Sequence, residues 1–409
     1  MTERKKKNKN SNEFHIGTYY LAPYARTPKH IQELSDCGFD FVINIPNDPL
    51  LLDQLHNCGV SAIVNGVFPS WFGGDGSNAG TMAKLNPIER YQTATQNFSM
   101  HPAIWGIDVG DEPSILEFDH YEKIFDFINQ EYPSLHPYLN LYPTYAVKGS
   151  NTSEEIIQQL GTDSHEHYID SFCQKVSADY ICFAYYLYSA TIEGFYQSLK
   201  NVSSACKKYG RKLWTVLQVN SHDPNLWISS TQLRIQAFTA MAFGATTLIW
   251  ACYTAGWWHH HVLDCNGEKT EQYEKLKEVN SQIHLLGREL IKYSYQTTHF
   301  IGDFPAANIE SSKILNLAFL SGLRTKNQKA LLIGEMFLDD NAYALFIFAA
   351  DDSFGKSTDA VPIYFTCTDY KVDCLTYNPK IRLHKLNNEY LLQMYSSDAC
   401  LLIFKRATS

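Results

Sequence analysis

The chain has 409 residues, of which 45% are hydrophobic and 14% aromatic, enough to bury one large core and a smaller second one. Its formal net charge of −9 and its pI near 5.9 argue against the clustered basic surface that nucleic-acid binding requires. The sequence contains no run of eighteen apolar residues and no signal-peptide core, so we expect neither a membrane partner nor secretion.

The first thirteen residues are polar and include the basic run from Arg4 to Lys7. We interpret residues 1–13 as a disordered, solubilising tail. The ten cysteines form no C-x-x-C pair and lie mostly in apolar segments, which indicates buried free thiols. Because free thiols are typical of a reducing compartment, the sequence predicts a cytoplasmic protein.

From residue 14 onward, short β-rich segments alternate with longer segments of helical character. The eight β-rich segments are residues 14–24, 39–46, 61–68, 103–110, 136–145, 179–188, 212–220 and 246–256. Their nearly continuous apolarity is typical of parallel strands that are buried on both faces. Eight such repeats predict a (β/α)8 barrel over residues 14–298. A doubly wound open sheet is the alternative, although such sheets usually have fewer strands.

The pattern changes at about residue 299, where short strands of alternating polarity are separated by turn-forming clusters. Such a pattern over about one hundred residues predicts an antiparallel β-sandwich. We therefore expect a second domain over residues 299–409. Nothing in the sequence indicates the oligomeric state.

The carboxyl ends of the predicted barrel strands are rich in polar and aromatic residues, and these ends carry the active site in (β/α)8 barrels. The candidate substrate-binding residues are Tyr19, Asn65, Trp71, Asn140, Tyr185, Gln218, Asn220, Trp250, Tyr253 and Trp257. Aromatic rings stack on the C–H faces of sugars, while amides and carboxylates bind their hydroxyls. The sequence therefore predicts a carbohydrate-binding pocket, with ordinary packing of the aromatic residues as the alternative.

The fourth predicted strand ends in the segment IWGIDVGDEPS, residues 104–114, which supplies the candidate catalytic residues Asp108, Asp111 and Glu112. Strict alternation along this strand predicts that Glu112 shares a face with Asp108 while Asp111 points the other way. A carboxylic acid at a partly desolvated barrel mouth, close to a like charge, has a raised pKa and can protonate a leaving glycosidic oxygen. The alternative is that the segment only caps the next helix with acidic residues.

In the order and spacing of its motifs, the chain resembles the clan A glycoside hydrolases, the (β/α)8 superfamily that includes the β-galactosidases. The resemblance is greatest to bacterial relatives with a GDEP motif on the fourth strand. It rests on GDEP, on NLYPTYA at 140–146, and on the segments 232–254 and 262–283. The resemblance implies that Glu112 is the acid/base glutamate, with Asp111 at a position where the clan usually has asparagine.

Two positions depart from the pattern of that clan. The nucleophile of the clan is a glutamate at the end of the seventh strand, where this chain has Gln218. On the sixth strand, Ala184 replaces an aspartate that the relatives often have, and Leu187 replaces a proline. Three explanations remain open: inversion with Asp108, Asp75 or Asp223 as base, substrate-assisted catalysis, or loss of hydrolysis with retained sugar binding.

The sequence therefore predicts an O-glycoside hydrolase that acts on an oligosaccharide or glycoside, with Glu112 as general acid. A non-hydrolytic carbohydrate-binding protein derived from a glycosidase is the alternative. No cofactor is expected. Three consecutive histidines, His259 to His261, suggest a metal by residue type, but their side chains alternate in direction along an extended chain and lack ligand spacing, so we expect no metal site.

Overall fold

The computed structural model of the protein describes residues 13–72, 79–96, 98–148, 159–254, 258–304, 306, 309–339 and 342–406. The chain divides into two compact units. The first comprises His15–Trp227 and Thr247–Lys277, and the second comprises Ile228–Thr246 and Glu278–Ser409. Residues 1–12 of the predicted disordered tail lie outside the described residues.

The first unit contains a closed parallel barrel, which confirms the predicted fold. The barrel strands are β1 His15–Tyr19, β2 Phe41–Pro46, β3 Ser61–Asn65, β5 Ile104–Asp111, β6 His136–Leu141, β7 Tyr180–Tyr185, β8 Lys212–Gln218 and β9 Ala245–Ala251. The sheet closes where β3 pairs with β5, and the two-residue strand β4, Trp71–Phe72, pairs with the end of β5. Six of the barrel strands lie within the predicted segments. Of the other two, β5 ends one residue after its segment and β9 begins one residue before its segment.

The described α-helices are α1 Pro28–Asp36, α2 Pro49–Asn57, α3 Met82–Leu85, α4 Ile88–Thr95, α5 Phe118–Glu131, α6 Tyr145–Lys148, α7 His165–Lys175, α8 Ile192–Tyr209, α9 Ser230–Ala242 and α10 Glu271–Leu290. Local sequence explains where many of them begin. The side chains of Thr27 and Ser229 accept hydrogen bonds from backbone N–H groups of the first turns of α1 and α9, groups that have no partner within the helix. No helix in the described part of the chain is both long and apolar enough to cross a membrane.

Large side chains fill the barrel interior. Trp214 stacks on Trp105 at 5.3 Å and on Tyr180 at 4.1 Å between ring centroids. Phe41 and Ile249 belong to the same buried cluster. The barrel interior is therefore a packed core and not a pore, as is usual in barrels of this type.

The second unit contains an antiparallel sandwich, as predicted. Its strands are β10 Ser294–Ile301, β11 Leu315–Leu317, β12 Leu320–Thr325, β13 Leu331–Asp339, β14 Ala342–Ala349, β15 Ala360–Thr366, β16 Tyr370–Leu375, β17 Arg382–Leu386, β18 Glu389–Tyr395 and β19 Ala399–Arg406. One sheet has the order β10-β13-β14-β19-β16 and the other β11-β12-β15-β18-β17. Strand β10 runs through residues 298 and 299, where we predicted the boundary between the two domains. The position of that boundary stays a prediction.

Candidate active site

The fourth barrel strand, β5, carries an irregularity at the predicted catalytic segment. Asp108 pairs with Tyr138 of β6 and Asp111 pairs with Asn140, although Asp111 is three positions after Asp108 and Asn140 only two after Tyr138. Paired residues of parallel strands point to the same side of the sheet, so the extra residue brings Asp111 to the side of Asp108. The predicted alternation, with Asp111 facing away from Asp108, was therefore wrong, because a bulge breaks the period of two.

Glycine at position 110 makes this bulge possible. Gly110 has φ 151°, and a Cβ atom there would collide with the Tyr121 hydroxyl and with the carbonyl oxygen of Trp71. Trp71, one of the predicted substrate-binding residues, is itself 8% exposed and pairs with Gly110. The structure therefore places Trp71 against the backbone of β5.

Glu112 follows the bulge in a left-handed conformation with φ 47°. Its N–H donates to the carbonyl oxygen of Asn140 at 2.8 Å, which continues the pairing of β5 with β6. Backbone strain of this kind at a residue other than glycine costs on the order of 1–3 kcal/mol and is concentrated at functional sites. Burial and then the charge of the Glu112 carboxylate raise the pKa of Tyr145, so this carboxylate lies close to Tyr145.

Asp108 and Asp111 form a pair of interacting carboxyl groups. Burial, with a further contribution from the charge of Asp111, raises the pKa of Asp108 to about 7, against a hydrogen bond from the Gly110 N–H at 3.1 Å. Burial also raises the pKa of Asp111. No Lys or Arg of the described chain forms an ion pair with either residue, so the site keeps a proton near neutral pH.

A row of polar side chains leads to Asp111 across the top of the barrel. The hydroxyls of Tyr19 and Tyr138 are hydrogen-bonded to each other, and Tyr138 contacts the Cys182 thiol at 3.7 Å. The thiol donates weakly to Asn140 Oδ1 at 3.7 Å, and Asn140 Nδ2 donates to Asp111 Oδ1 at 2.9 Å. Since each partner fixes the next, this row orients the amide of Asn140 toward Asp111. The structure thus brings together the predicted residues Tyr19, Asn140 and Asp111.

An open cavity of about 450 Å³ lies at the carboxyl ends of the strands. It is lined by Thr144, Tyr145, Tyr185, Tyr186, Ser189, Ala190, Thr191, Gly194 and His222. Of the predicted substrate-binding residues, Tyr185 is the one on this lining, and its hydroxyl donates to the Thr191 carbonyl oxygen at 2.7 Å. We call this space the tyrosine cavity.

Gln218 is the last residue of β8, the position at which the clan A glycoside hydrolases have their nucleophile. It is fully buried, its Oε1 accepts the Tyr188 N–H at 2.8 Å, and its Nε2 donates to Ser189 Oγ at 3.1 Å. Both contacts hold the 3-10 turn Leu187–Ser189 that follows β7. The amide of Gln218 therefore supports one wall of the tyrosine cavity, and its predicted contact with substrate stays a prediction.

Asn65, Asn220, Trp250 and Tyr253, four further predicted binding residues, are not part of the lining of the tyrosine cavity. Asn65 donates to Asn44 Oδ1, and Asn220 donates to the His260 carbonyl oxygen at 3.1 Å. Trp250 and Tyr253 are fully buried, and Tyr253 packs edge-on against Phe39 at 5.5 Å. The structure does not bring these residues to the cavity. Trp257 and the alternative base Asp75 lie outside the described residues, and Asp223 is exposed in a turn where it accepts the Asn225 N–H.

The site prediction left out residues that line or extend the cavity. His222 lies 4.3 Å from the Trp258 ring, which lies 4.4 Å from the ring of Tyr186. Partial burial lowers the pKa of His222. A signal was available, since His222 lies two residues beyond Asn220 at the end of the seventh barrel strand.

The three consecutive histidines make separate contacts. The backbone of His259 pairs with Ser221, and His260 Nε2 lies 2.7 Å from the Pro224 carbonyl oxygen. Burial lowers the pKa of His261. Within the described ranges, no group of three or more His, Cys, Asp or Glu side chains is placed to hold a metal ion.

No family model matches the sequence, and no curated protein matches it. Among solved structures, the chain is similar to a glucosidase from Croceicoccus marinus, with 9% identity, 98% of each chain covered and a TM-score of 0.47. It is also similar to a glycoside hydrolase family 30 subfamily 8 xylanase from Clostridium acetobutylicum, with 10% identity, 98% and 97% covered and a TM-score of 0.47. Xylanase 10B from Thermotoga maritima has 11% identity, 66% and 95% covered and a TM-score of 0.45. At these identities no activity is transferred to the chain.

Proposed function

We propose that the protein is a glycoside hydrolase in which Glu112 protonates the leaving oxygen of an O-glycoside. The observation that carries this proposal is the backbone of Glu112, held in a left-handed conformation at the carboxyl end of β5. The proposal is supported by the effect of the Glu112 charge on the pKa of Tyr145, a residue of the cavity lining. Backbone strain at a carboxylate near a cavity is expected where geometry serves chemistry rather than stability.

The second catalytic group is proposed to come from the Asp108–Asp111 pair. The positions of Ala184 and Gln218 offer no carboxylate, while Asp108 has its pKa raised to about 7 by burial and by Asp111. A general base is most effective when its pKa lies near the working pH, and an inverting enzyme needs such a base to activate water. We therefore propose inversion, with Asp108 as the base and Asp111 held in position by Asn140.

Replacement of Glu112 by glutamine tests the general acid. Turnover of glycosides with alcohol leaving groups is expected to fall about 10² to 10⁴-fold, since these need a proton on the departing oxygen. Turnover of 2,4-dinitrophenyl glycosides, whose leaving group departs without a proton, is expected to fall much less. Glu122→Gln, a change at an exposed residue of α5, is the matched control.

Steady-state kinetics on both substrate classes, together with circular dichroism to verify folding, make the measurement. Equal losses for both leaving groups would contradict the assignment of Glu112. The anomer of the first-formed product, followed by proton NMR, then separates inversion from retention.

A carbohydrate-binding protein without hydrolysis is the second candidate. The specific observation in its favour is Gln218, whose amide is used in hydrogen bonds to Tyr188 and Ser189 where a nucleophile would be required. Wild-type protein that binds a sugar but leaves the whole glycoside panel uncleaved would support this candidate over the enzyme.

We also propose a cytoplasmic location, because all ten cysteines are free thiols.

A further inference from the structure

The lining of the tyrosine cavity lacks the side chains that normally bind a sugar. Among the described residues that surround it there is no Asp, Glu, Asn, Gln, Lys or Arg. Sugar hydroxyls are usually bound by the paired donors and acceptors of such side chains. The cavity instead presents the rings of Tyr145, Tyr185 and Tyr186 and the methyl groups of Ala190 and of two threonines.

The aliphatic hydroxyls on the lining already have partners within the protein. Thr144 Oγ1 lies 2.8 Å from Ser198 Oγ and donates to the Gly194 carbonyl oxygen at 3.1 Å. Thr191 Oγ1 accepts the Gly194 N–H at 3.2 Å, and Ser189 Oγ accepts the amide of Gln218 at 3.1 Å. With Tyr185 bonded to the Thr191 carbonyl oxygen, four of the seven polar side chains on the lining make hydrogen bonds within the protein.

The aromatic surface continues beyond the cavity. The edge of Trp258 meets the ring of Tyr186 at 4.4 Å and that of His222 at 4.3 Å, and Tyr145 lies 5.4 Å from Tyr185. Flat rings on more than one side favour a flat or aliphatic guest. A volume of about 450 Å³ is within the range of cavities that bind small molecules.

We propose that the tyrosine cavity binds an apolar aglycone, so that the substrate is a glycoside of an aromatic or aliphatic alcohol rather than an oligosaccharide. This inference rests on the proposed function, because Glu112 beside the cavity delivers its proton to the oxygen that the aglycone keeps. The sugar then lies on the side of Asp111, whose carboxylate is held by Asn140.

The substrates that test this proposal share one sugar and differ only in the leaving alcohol. A benzyl or cyclohexylmethyl glycoside is compared with a disaccharide of the same sugar and anomer, since the leaving group of each is an ordinary alcohol that needs the proton of the general acid. We expect kcat/KM to be at least about tenfold higher for the apolar aglycones. Equal or higher values for the disaccharide would overturn the proposal.

Two variants at one position on the cavity lining provide the matched comparison. Ala190→Gln adds an amide to the wall, whereas Ala190→Met adds a side chain of similar length without hydrogen-bonding groups. We expect Ala190→Gln to reduce the preference for the apolar aglycone at least fivefold and Ala190→Met to retain it. The same response in both variants would place the aglycone elsewhere and contradict the proposal.

Binding of sulfur-linked analogues separates this proposal from the proposed function. Benzyl thioglycosides and thio-linked disaccharides are not cleaved, so calorimetric affinities can be measured whether or not the protein is an enzyme. Tighter binding of the benzyl compound, weakened in Ala190→Gln, supports the cavity assignment even if no oxygen-linked glycoside is hydrolysed. Tighter binding of the disaccharide overturns the cavity assignment even if hydrolysis is found.

Discussion

Asp108, the proposed general base, has a buried carboxyl group whose protonation also affects the stability of the fold. Burial and the charge of Asp111 raise its pKa from 3.8 to about 7. Between these values the folded state binds more protons than the unfolded state, so the free energy of unfolding falls as the pH rises through this window. The protein is thus destabilised by the ionisation that a general base requires.

The pH dependence of stability tests this view of Asp108. In Asp108→Asn, the fall in the free energy of unfolding between about pH 4 and pH 7 is expected to shrink, by on the order of 1–3 kcal/mol. It does not vanish, because the pKa of Asp111 is also raised. Urea denaturation at pH 4, 5, 6, 7 and 8 provides the measurement, with Glu122→Gln as the exposed control. A slope identical to that of the wild type would show that Asp108 ionises freely.

At the scale of single elements, the turn Leu187–Ser189 depends on the side chain that ends β8. Gln218→Glu keeps an acceptor for the Tyr188 N–H but buries a carboxylate at a fully buried position. We expect the free energy of unfolding at pH 8 to fall by about 1–3 kcal/mol and glycosidase activity to fall with it. Protonation of the new carboxylate at pH 4 should restore much of the loss.

Gln197→Glu, at an exposed position of α8, is the matched control for this substitution. Thermal unfolding at the two pH values and hydrolysis of an aryl-glycoside panel make the comparison. Activity that rises in Gln218→Glu, beside a silent wild type, would instead identify a protein that lost a nucleophile at this position and now only binds sugar.

The strand β5 also marks what the sequence was able to predict at this scale. Its position, its apolar run and the acidic residues at its end were all available from residues 104–114. The direction of each carboxylate was not, because the pairing of Asp108 and Asp111 with β6 depends on a bulge. The bulge brings Gly110 close to Tyr121 and Trp71, and such contacts across the fold leave no trace in local periodicity.

For the whole molecule, the barrel and the sandwich were predictable because burial repeats along the chain. Each barrel strand is nearly continuous in buried residues, whereas strands such as β18 alternate. The candidate site was less predictable, since a position at a strand end indicates the face of the barrel but not whether the side chain is exposed there or buried. Trp250 and Tyr253 are aromatic residues of the kind that bind sugars, and both are nevertheless fully buried. Burial depends on packing against residues distant in the sequence, such as that of Tyr253 against Phe39.

Thiol reactivity tests the burial of side chains across the whole molecule. Cys265 is exposed, Cys58 and Cys374 are half-buried, and the other seven cysteines are buried. In the native protein we expect Cys265 to react with a thiol reagent more than tenfold faster than the buried thiols, and all ten to react after denaturation. Cys265→Ser should remove the fast phase. A fast phase that persists in this variant, or fewer than ten thiols in denaturant, would contradict the assigned burial or indicate a disulfide.

The contacts around Gly110 have a consequence for how the chain tolerates mutation. Any side chain at this position meets the Tyr121 hydroxyl and the Trp71 carbonyl, so the first effect of substitution is on the folded population. Glu112, two residues further on, is strained by its own backbone conformation, and glycine at this position would relieve that strain at the expense of the carboxylate. Gly110 therefore cannot gain a side chain without a clash, whereas Glu112 keeps its side chain in a backbone conformation that glycine adopts without strain.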